Sequence, residues 1–353
     1  MSSPKAELLR VVSPAPRDVW LQVLKSDPMA FVYQTPVGID AICAQGNLED
    51  ASRMYEFGDG RQIILPLYRR KGLPQWLSVE QSPLIGSLVS PGPVRPEELQ
   101  AIFSDLGARS LLRTIISPTA LTGDVWAEAP LPGVFRVRRS GHILDLDGGF
   151  ETVWEKRFNG QARRAVRKAL KAGVEVERDS GARLLPIFYD LLEQSVDRWA
   201  RQRHEPRYLA RWRSRLGKQR HDLQVVADTL GDVFHIWVAR VGGKPAAVIV
   251  ILQGINAHYT RGAMDMDLAG PTRASFLLQK LAIEAACNAG CRYYNMGETG
   301  TSEGLARFKN HFGAKAYVYS EYHIERFPIK SIENGLRSLA QKILNIRKGG
   351  DKV

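Results

Sequence analysis

Cysteine is scarce in this chain. Only Cys43, Cys287 and Cys291 occur in 353 residues. Cys287 and Cys291 stand four apart, but no histidine or further cysteine beside them completes a set of metal ligands. Buried free thiols in a reducing compartment are expected, and the seven scattered histidines make no metal site. Long apolar runs are missing too. The longest, Pro245 to Leu252, has the length of a buried strand and falls well short of a membrane span. The opening Met1-Ser2-Ser3-Pro4-Lys5 lacks the apolar run of a signal peptide, so a cytoplasmic protein without a transmembrane segment is expected. Neither GxGxxG nor GxxxxGK[ST] occurs, which argues against a Rossmann domain and a P-loop.

Acids are also in short supply. Asp and Glu number 37 against 49 Lys and Arg, a formal net charge of +12. Such a balance favours anionic partners: nucleic acid, nucleotide phosphates or an anionic membrane surface. The apolar fraction of 44% is that of an ordinary folded protein. The length suits two domains, which we place at 1–139 and 140–330, with a C-terminal amphipathic helix and tail over 331–353.

In the first domain, Arg17 to Lys25 and Glu97 to Leu106 have helical character. Arg61 to Arg70, Leu84 to Val89 and Leu111 to Ile116 have that of strands. In the second, Phe150 to Ala172 is predicted as one helix closed by Gly173, followed by a strand from Val174 to Arg178. Helices are predicted over Leu184 to Arg201 and Arg203 to Arg220. Strands follow at Leu223 to Asp228, Val233 to Val241, Pro245 to Gln253 and Asn256 to Arg261. A long helix from Ala274 to Ala289, a strand from Cys291 to Met296, a short helix from Leu305 to Asn310 and a strand from Tyr317 to Ile324 complete it. In the tail, Ile332, Leu336, Leu339, Ile343 and Ile346 form one helical stripe. The order implies an α/β fold with a mixed, mostly antiparallel sheet flanked by helices.

The segment Glu303 to Gly313 stands out, with two cations, an acid, a histidine and two phenylalanines in eleven residues. Its Gly304-Leu305-Ala306-Arg307-Phe308-Lys309-Asn310-His311-Phe312-Gly313 closely matches the G-L-x-x-F-K-x-x-F-G signature of the FemABX family. The basic stretch from Phe158 to Val174 and the strand Tyr293 to Gly297 are similar to the family's other conserved segments. The resemblance implies tandem modules of the GCN5-related N-acetyltransferase (GNAT) type, the first of them degenerate. It also implies transfer of an aminoacyl group from aminoacyl-tRNA to an amine with amide formation. The acceptor would be a peptidoglycan precursor, a small peptide or a natural product. No tightly bound cofactor is implied, and a monomer is expected. Looser relatives use acyl-CoA, which stays open as the donor, as does a non-catalytic role in binding nucleic acid or a membrane surface. At the place of the usual acetyl-CoA loop the chain has Asp267-Leu268-Ala269-Gly270-Pro271-Thr272-Arg273-Ala274, and Pro271 removes a backbone donor there.

Amide formation needs a free amine, an outlet for its proton and relief of a developing oxyanion. Lys309 is the first catalytic candidate, with Glu298 and Glu303 to orient the amine or take its proton. Phe308 and Phe312, four apart, suit the core. Tyr259 and Arg261, expected on one side of a strand, together with Asp265, Arg307, Tyr68 and Arg69, are candidate substrate contacts. His258 and His311 fit packing or surface roles better than that of a base. Arg163, Arg164, Arg167, Lys168 and Lys171 form one basic cluster, and Arg211, Trp212 and Arg213 belong to a second. Both suit phosphate contacts with RNA.

Overall fold

A computed structural model describes residues 7–86, 88–129, 133–202, 204–210, 219–300 and 302–327. The early strands are β1 (Leu8–Val12), β2 (Leu48–Asp50), β3 (Arg53–Phe57), β4 (Gln62–Leu65), β5 (Tyr68–Arg70), β6 (Val79–Gln81) and β7 (Arg113–Ile116). With them lie helices α1 (Arg17–Lys25), α2 (Pro36–Cys43), α3 (Pro96–Ala108) and α4 (Gly123–Glu128). Then come β8 (Phe135–Asp145), α5 (Gly149–Thr152), α6 (Gly160–Lys171), β9 (Glu175–Ser180), α7 (Leu185–Gln202) and α8 (Gln219–Leu230). The chain continues through β10 (Phe234–Val241), β11 (Lys244–Gln253), β12 (Ala257–Met264), α9 (Met266–Thr272) and α10 (Ala274–Asn288). It closes with β13 (Tyr293–Glu298), α11 (Glu303–His311) and β14 (Lys315–Glu325). No helix among these residues is long and apolar enough to cross a membrane.

The chain divides into two compact units. The first takes the residues up to Gly141 and then those from Tyr317; the second takes His142–Ala316. The sequence implies a split at 139/140, with the last strand in the second domain. The last strand, however, belongs mainly to the first unit rather than the second.

In the first unit, β1, β3 and β4 form a small antiparallel sheet. A second sheet runs β2-β5-β6-β7-β14, antiparallel except where β6 and β7 pair in parallel. α3 begins with Pro96 in its first turn, and Glu98 reaches back to the Arg95 amide at 2.7 Å. Its buried Leu99, Ile102, Phe103 and Leu106 join Tyr55, Phe57, Trp126 and Tyr322 in one core.

In the second unit, which takes β8 only from His142 on, the order is β8-β13-β12-β11-β10-β9. β9 to β12 are antiparallel neighbours, and β12 and β13 are parallel. β10 and β11 are buried almost throughout, which is why Pro245 to Leu252 shows no alternation. α6 and α10 pack together over a core that includes Trp237, Ile249, Ile251, Tyr294 and Phe312. α7 packs on β11 and β12.

Several local expectations were wrong. Leu223 to Asp228 is not a strand but part of α8: its buried Leu223, Val226, Ala227 and Leu230 follow a helical period, which a short apolar run conceals. Phe150 to Ala172 is not one helix. A π-turn at Val153–Arg157 and the extended Phe158 interrupt it, and Asn159 caps a new helix through the Ala162 amide at 2.9 Å. Arg61 to Arg70 splits at Pro66 into β4 and β5. Among the described residues of Leu84 to Val89 there is no strand, only a bridge from Val89 to Ile64. β1 to β3 and α2 were not anticipated. The tail helix, and Arg211, Trp212 and Arg213, lie outside the described residues.

Candidate active site

Two irregularities interrupt the second unit's sheet around β12, and the β12–β13 seam is the candidate site. The parallel ladder holds only Ala257 opposite Tyr294 and His258 opposite Asn295. Beyond it, the Gly297 amide donates to the side-chain oxygen of Asn295 at 2.7 Å rather than to a strand. On the other side of β12, Ile251 faces Tyr259 while Val250 faces Arg261, so Thr260 is an extra, bulged residue. Bulges break a ladder locally and re-aim its groups, and they recur beside active sites. This one also corrects an expectation. Tyr259 and Arg261 do not share a face, because they oppose adjacent residues of β11. Tyr259 packs against the core, and Arg261 is exposed. Burial pushes the Tyr259 phenol up to about 12.

Lys309 is the centre of the seam. It projects inward from α11 and is 1% exposed. Its ammonium donates to the carbonyl oxygens of Gly297 at 2.9 Å and Glu298 at 2.8 Å. An ammonium has three donors, so one remains for another acceptor. Burial lowers its pKa from 10.5 to about 8, opposed by the Glu298 carboxylate. Buried His142 and His258 both feel this cation. Burial first, and then Lys309, drive His258 down to about 3, so its ring stays neutral near pH 7 and is a weak base there. His142 is lowered for the same two reasons, and its Nδ1 has no hydrogen-bond partner.

The Gly304–Gly313 signature is the local structure that holds Lys309 in place. Ser302 caps α11 through the Leu305 amide at 3.2 Å. Phe312 is fully buried, with its ring centroid 5.1 Å from Phe158 and 5.2 Å from Phe308. Gly313 has φ +83°, and a Cβ there would lie 2.5 Å from the Arg157 carbonyl oxygen. Only glycine meets both demands. The Asn159 amide nitrogen donates to the His311 carbonyl at 2.9 Å, and its side-chain Nδ2 to His311 Nδ1 at 2.9 Å. Because Asn159 Oδ1 already accepts from Ala162, that Nδ2 is the donor, and the neutral His311 ring carries its proton on Nε2.

Beside this segment lies a pocket of about 380 Å³ lined by Gln161, Arg164, Ala165, Lys168, Arg273, Phe276 and His311. One face of α6, from Gln161 to Lys168, meets the start of α10 there. Arg273 precedes α10 with φ +61°, and no side chain caps that helix. Arg273, at the positive end of α10, opposes that helix's dipole, so an anion placed there is favoured by both. Phe276 forms an apolar wall and packs on Phe308 at 5.0 Å, which ties the pocket to the helix that carries Lys309.

The other residues selected from sequence fall into distinct places. Glu298 and Glu303 are exposed, at the end of β13 and the start of α11. Arg307 is exposed where Lys309 is buried, so the two do point apart. Asp265 caps α9, accepting from the Asp267 and Leu268 amides at 2.8 and 3.3 Å. Arg163 is spent on the π-turn, donating to the carbonyls of Trp154, Glu155 and Phe158. Arg164, Arg167, Lys168 and Lys171 are exposed along α6. Tyr68 and Arg69 belong to the first unit, where Tyr68 packs on a core and Arg69 pairs with Glu49 and Glu80. The residues that sequence reasoning missed are Arg273, Phe276 and Gln161. An arginine directly before the helical Ala274 run was the available signal. No group of metal-ligating residues occurs among the described residues.

Residues 156–310 match the acetyltransferase (GNAT) domain family. The sequence matches no curated protein. Among solved structures the chain is similar to FemX, with a TM-score of 0.62 at 12% identity over 90% of this chain and 97% of that one. It is also similar to a conserved protein of unknown function from Bacteroides thetaiotaomicron, with a TM-score of 0.53 at 11% identity over 90% and 98% of the two chains. The fold class of the chain, α/β with mixed, largely antiparallel sheets flanked by helices, is consistent with tandem GNAT-like modules. Within that class its architecture resembles that of FemX.

Proposed function

We propose that the second unit is an N-acyltransferase that takes an aminoacyl group from aminoacyl-tRNA and passes it to an amine. The observation that carries this reading is the gathering of Arg164, Lys168 and Arg273 around Phe276 and His311, where one face of α6 meets the start of α10. It favours a donor rich in phosphate. Arg164, Arg167, Lys168 and Lys171 extend the same charge along one stripe of α6, over about 10 Å. Such a track suits a polynucleotide backbone.

In the reaction the amine nitrogen bonds to the acyl carbon, the ester C–O bond breaks, and the amine proton ends on the released ribose hydroxyl. Lys309 directs its third N–H at the oxygen that gains charge, and the bulge at Thr260 shapes the backbone beside it. Glu298 and Glu303 hold the acceptor ammonium and help remove its proton. The acceptor is a peptidoglycan precursor or a small peptide-like amine.

Acyl-CoA is the second reading. The pocket's volume and its Phe276 wall suit a nucleotide diphosphate. Against it, the place of the usual diphosphate loop is taken by α9, which contains Pro271. The test is to offer the protein a pool of charged tRNA or of acyl-CoA with an amine acceptor. Discharge of tRNA supports the first reading. Discharge of acyl-CoA alone supports the second, and discharge of neither, with tight RNA binding, leaves a binding protein.

A further inference from the structure

The hairpin that joins β5 to β6 has features that no acyl-transfer site requires. Residues 70–77, Arg70-Lys71-Gly72-Leu73-Pro74-Gln75-Trp76-Leu77, are exposed without a break. Leu73 is 42% exposed, Trp76 57% and Leu77 39%. Large apolar side chains three and four residues apart, left open together, make a patch rather than scattered exposure. The loop is nonetheless ordered by its own bonds. Leu77 and Ser78 amides close a 3₁₀ turn on Pro74 and Gln75 at 2.9 and 3.0 Å, and the Ser78 hydroxyl donates to the Pro74 carbonyl at 3.1 Å. At its base the Lys71 amide donates to Asn47 at 3.0 Å, and the Leu112 amide to Ser78 at 3.1 Å.

Charge decides what this patch fits. No acid occurs from residue 70 to 79. Arg70 and Lys71 are exposed at the base of the loop, and neither enters an ion pair among the described residues. The nearby carboxylates are already engaged: Glu49 by Arg69, and buried Glu80 by Arg69 and Arg109. A tryptophan and leucines at a tip, with unpaired cations behind them, is the arrangement that settles at a bilayer interface. The rings and aliphatic chains enter the headgroup region, and the cations meet anionic phosphates.

We propose that this loop docks the protein on an anionic lipid surface, with Leu73, Trp76 and Leu77 inserted and Arg70 and Lys71 paired to lipid phosphates. The proposal is independent of the acyl donor.

The test is co-sedimentation of the full chain with vesicles of phosphatidylcholine alone, and of phosphatidylcholine mixed equally with phosphatidylglycerol. The protein should sediment with the mixed vesicles only. Leu73→Ser and Trp76→Ser, both at exposed positions, should each weaken binding by about tenfold or more. Arg70→Ser and Lys71→Ser should each weaken it roughly fivefold. Mixed vesicles with brominated acyl chains should quench a part of the tryptophan emission that Trp76→Phe no longer shows. Failure to bind the mixed vesicles would overturn the proposal. So would binding that Trp76→Ser leaves unchanged, which would assign it to the general positive charge. A wild-type dimer dissolved by Trp76→Ser would overturn it in favour of a contact between copies.

Discussion

The Lys309 ammonium lies 2.8 Å from the carbonyl oxygen of Glu298, at the point where β13 gives way to the turn before α11. One side chain thus fixes the backbone of the candidate acid Glu298 and brings a desolvated positive charge to the seam. Lys309→Met should lower kcat for acyl transfer by about a hundredfold or more, in the range seen when an oxyanion donor is lost. Lys309→Arg should restore part of it. Equal rates for Lys309→Met and the wild type would remove Lys309 from the chemistry.

The pH dependence follows from the same burial. Lys309 acts protonated in this mechanism and titrates near 8, so the rate should fall above about pH 8. Lys309→Arg should move that limb to higher pH. For stability the sign is separate. Folding depresses the pKa from 10.5 to about 8, so between those values the unfolded chain binds more protons, and this group's contribution rises with pH. Urea titrations across that window should show the rise in the wild type and its loss in Lys309→Met.

His258 bears on the acid side. Its pKa falls from 6.5 to about 3 on folding. Below about pH 6.5 the unfolded chain takes a proton that the folded chain refuses, so stability is lost as pH falls toward 3. His258→Gln should be less acid-sensitive than the wild type, with the slope of stability against pH reduced between pH 6 and 4, an interval set by that titration. An unchanged slope would place the acid sensitivity elsewhere.

Arg164→Ser with Lys168→Ser should raise the donor KM at least about tenfold while kcat changes little, because these side chains hold phosphate rather than the reacting atoms. The salt dependence of donor binding should flatten by up to about two counterions. Unchanged donor KM and salt slope would show that the pocket is not the donor site.

Gly313→Ala tests the signature itself. At φ +83° and with the Arg157 carbonyl 2.5 Å from the new Cβ, the substitution should destabilise the fold by about 1–3 kcal/mol. Phe312→Ala should cost about 3–5 kcal/mol in the same urea titration.

The signature was legible because its chemistry is local. Phe308 and Phe312 at helical spacing belong together in the core, and the buried Lys309 separates from the exposed Arg307 as neighbours on a helix must. The overall order of helices and strands in the second unit was legible for the same reason. What escaped depends on distant partners. The bulge at Thr260 is set by the register of β11 and β12, which no window of sequence contains. Arg163 looked like one more cation of a basic face, but the π-turn at Val153–Arg157 supplies carbonyls that claim it. Asp265 looked like a free loop acid until α9, hidden by Pro271, placed it at an N-cap. Arg273 and Phe276 became visible only when α6 and α10 came together around one pocket.

The most direct measurement is single-turnover discharge of a charged tRNA pool by the full protein in the presence of an amine acceptor, run beside Lys309→Met and Arg164→Ser/Lys168→Ser. The expected result is labelled amide product with the wild type, a large loss of the transfer step in Lys309→Met, and a loss in the double variant that added donor restores. Release of the aminoacyl group by none of the three, or equally by all of them, would contradict an acyl-transfer site at the β12–β13 seam.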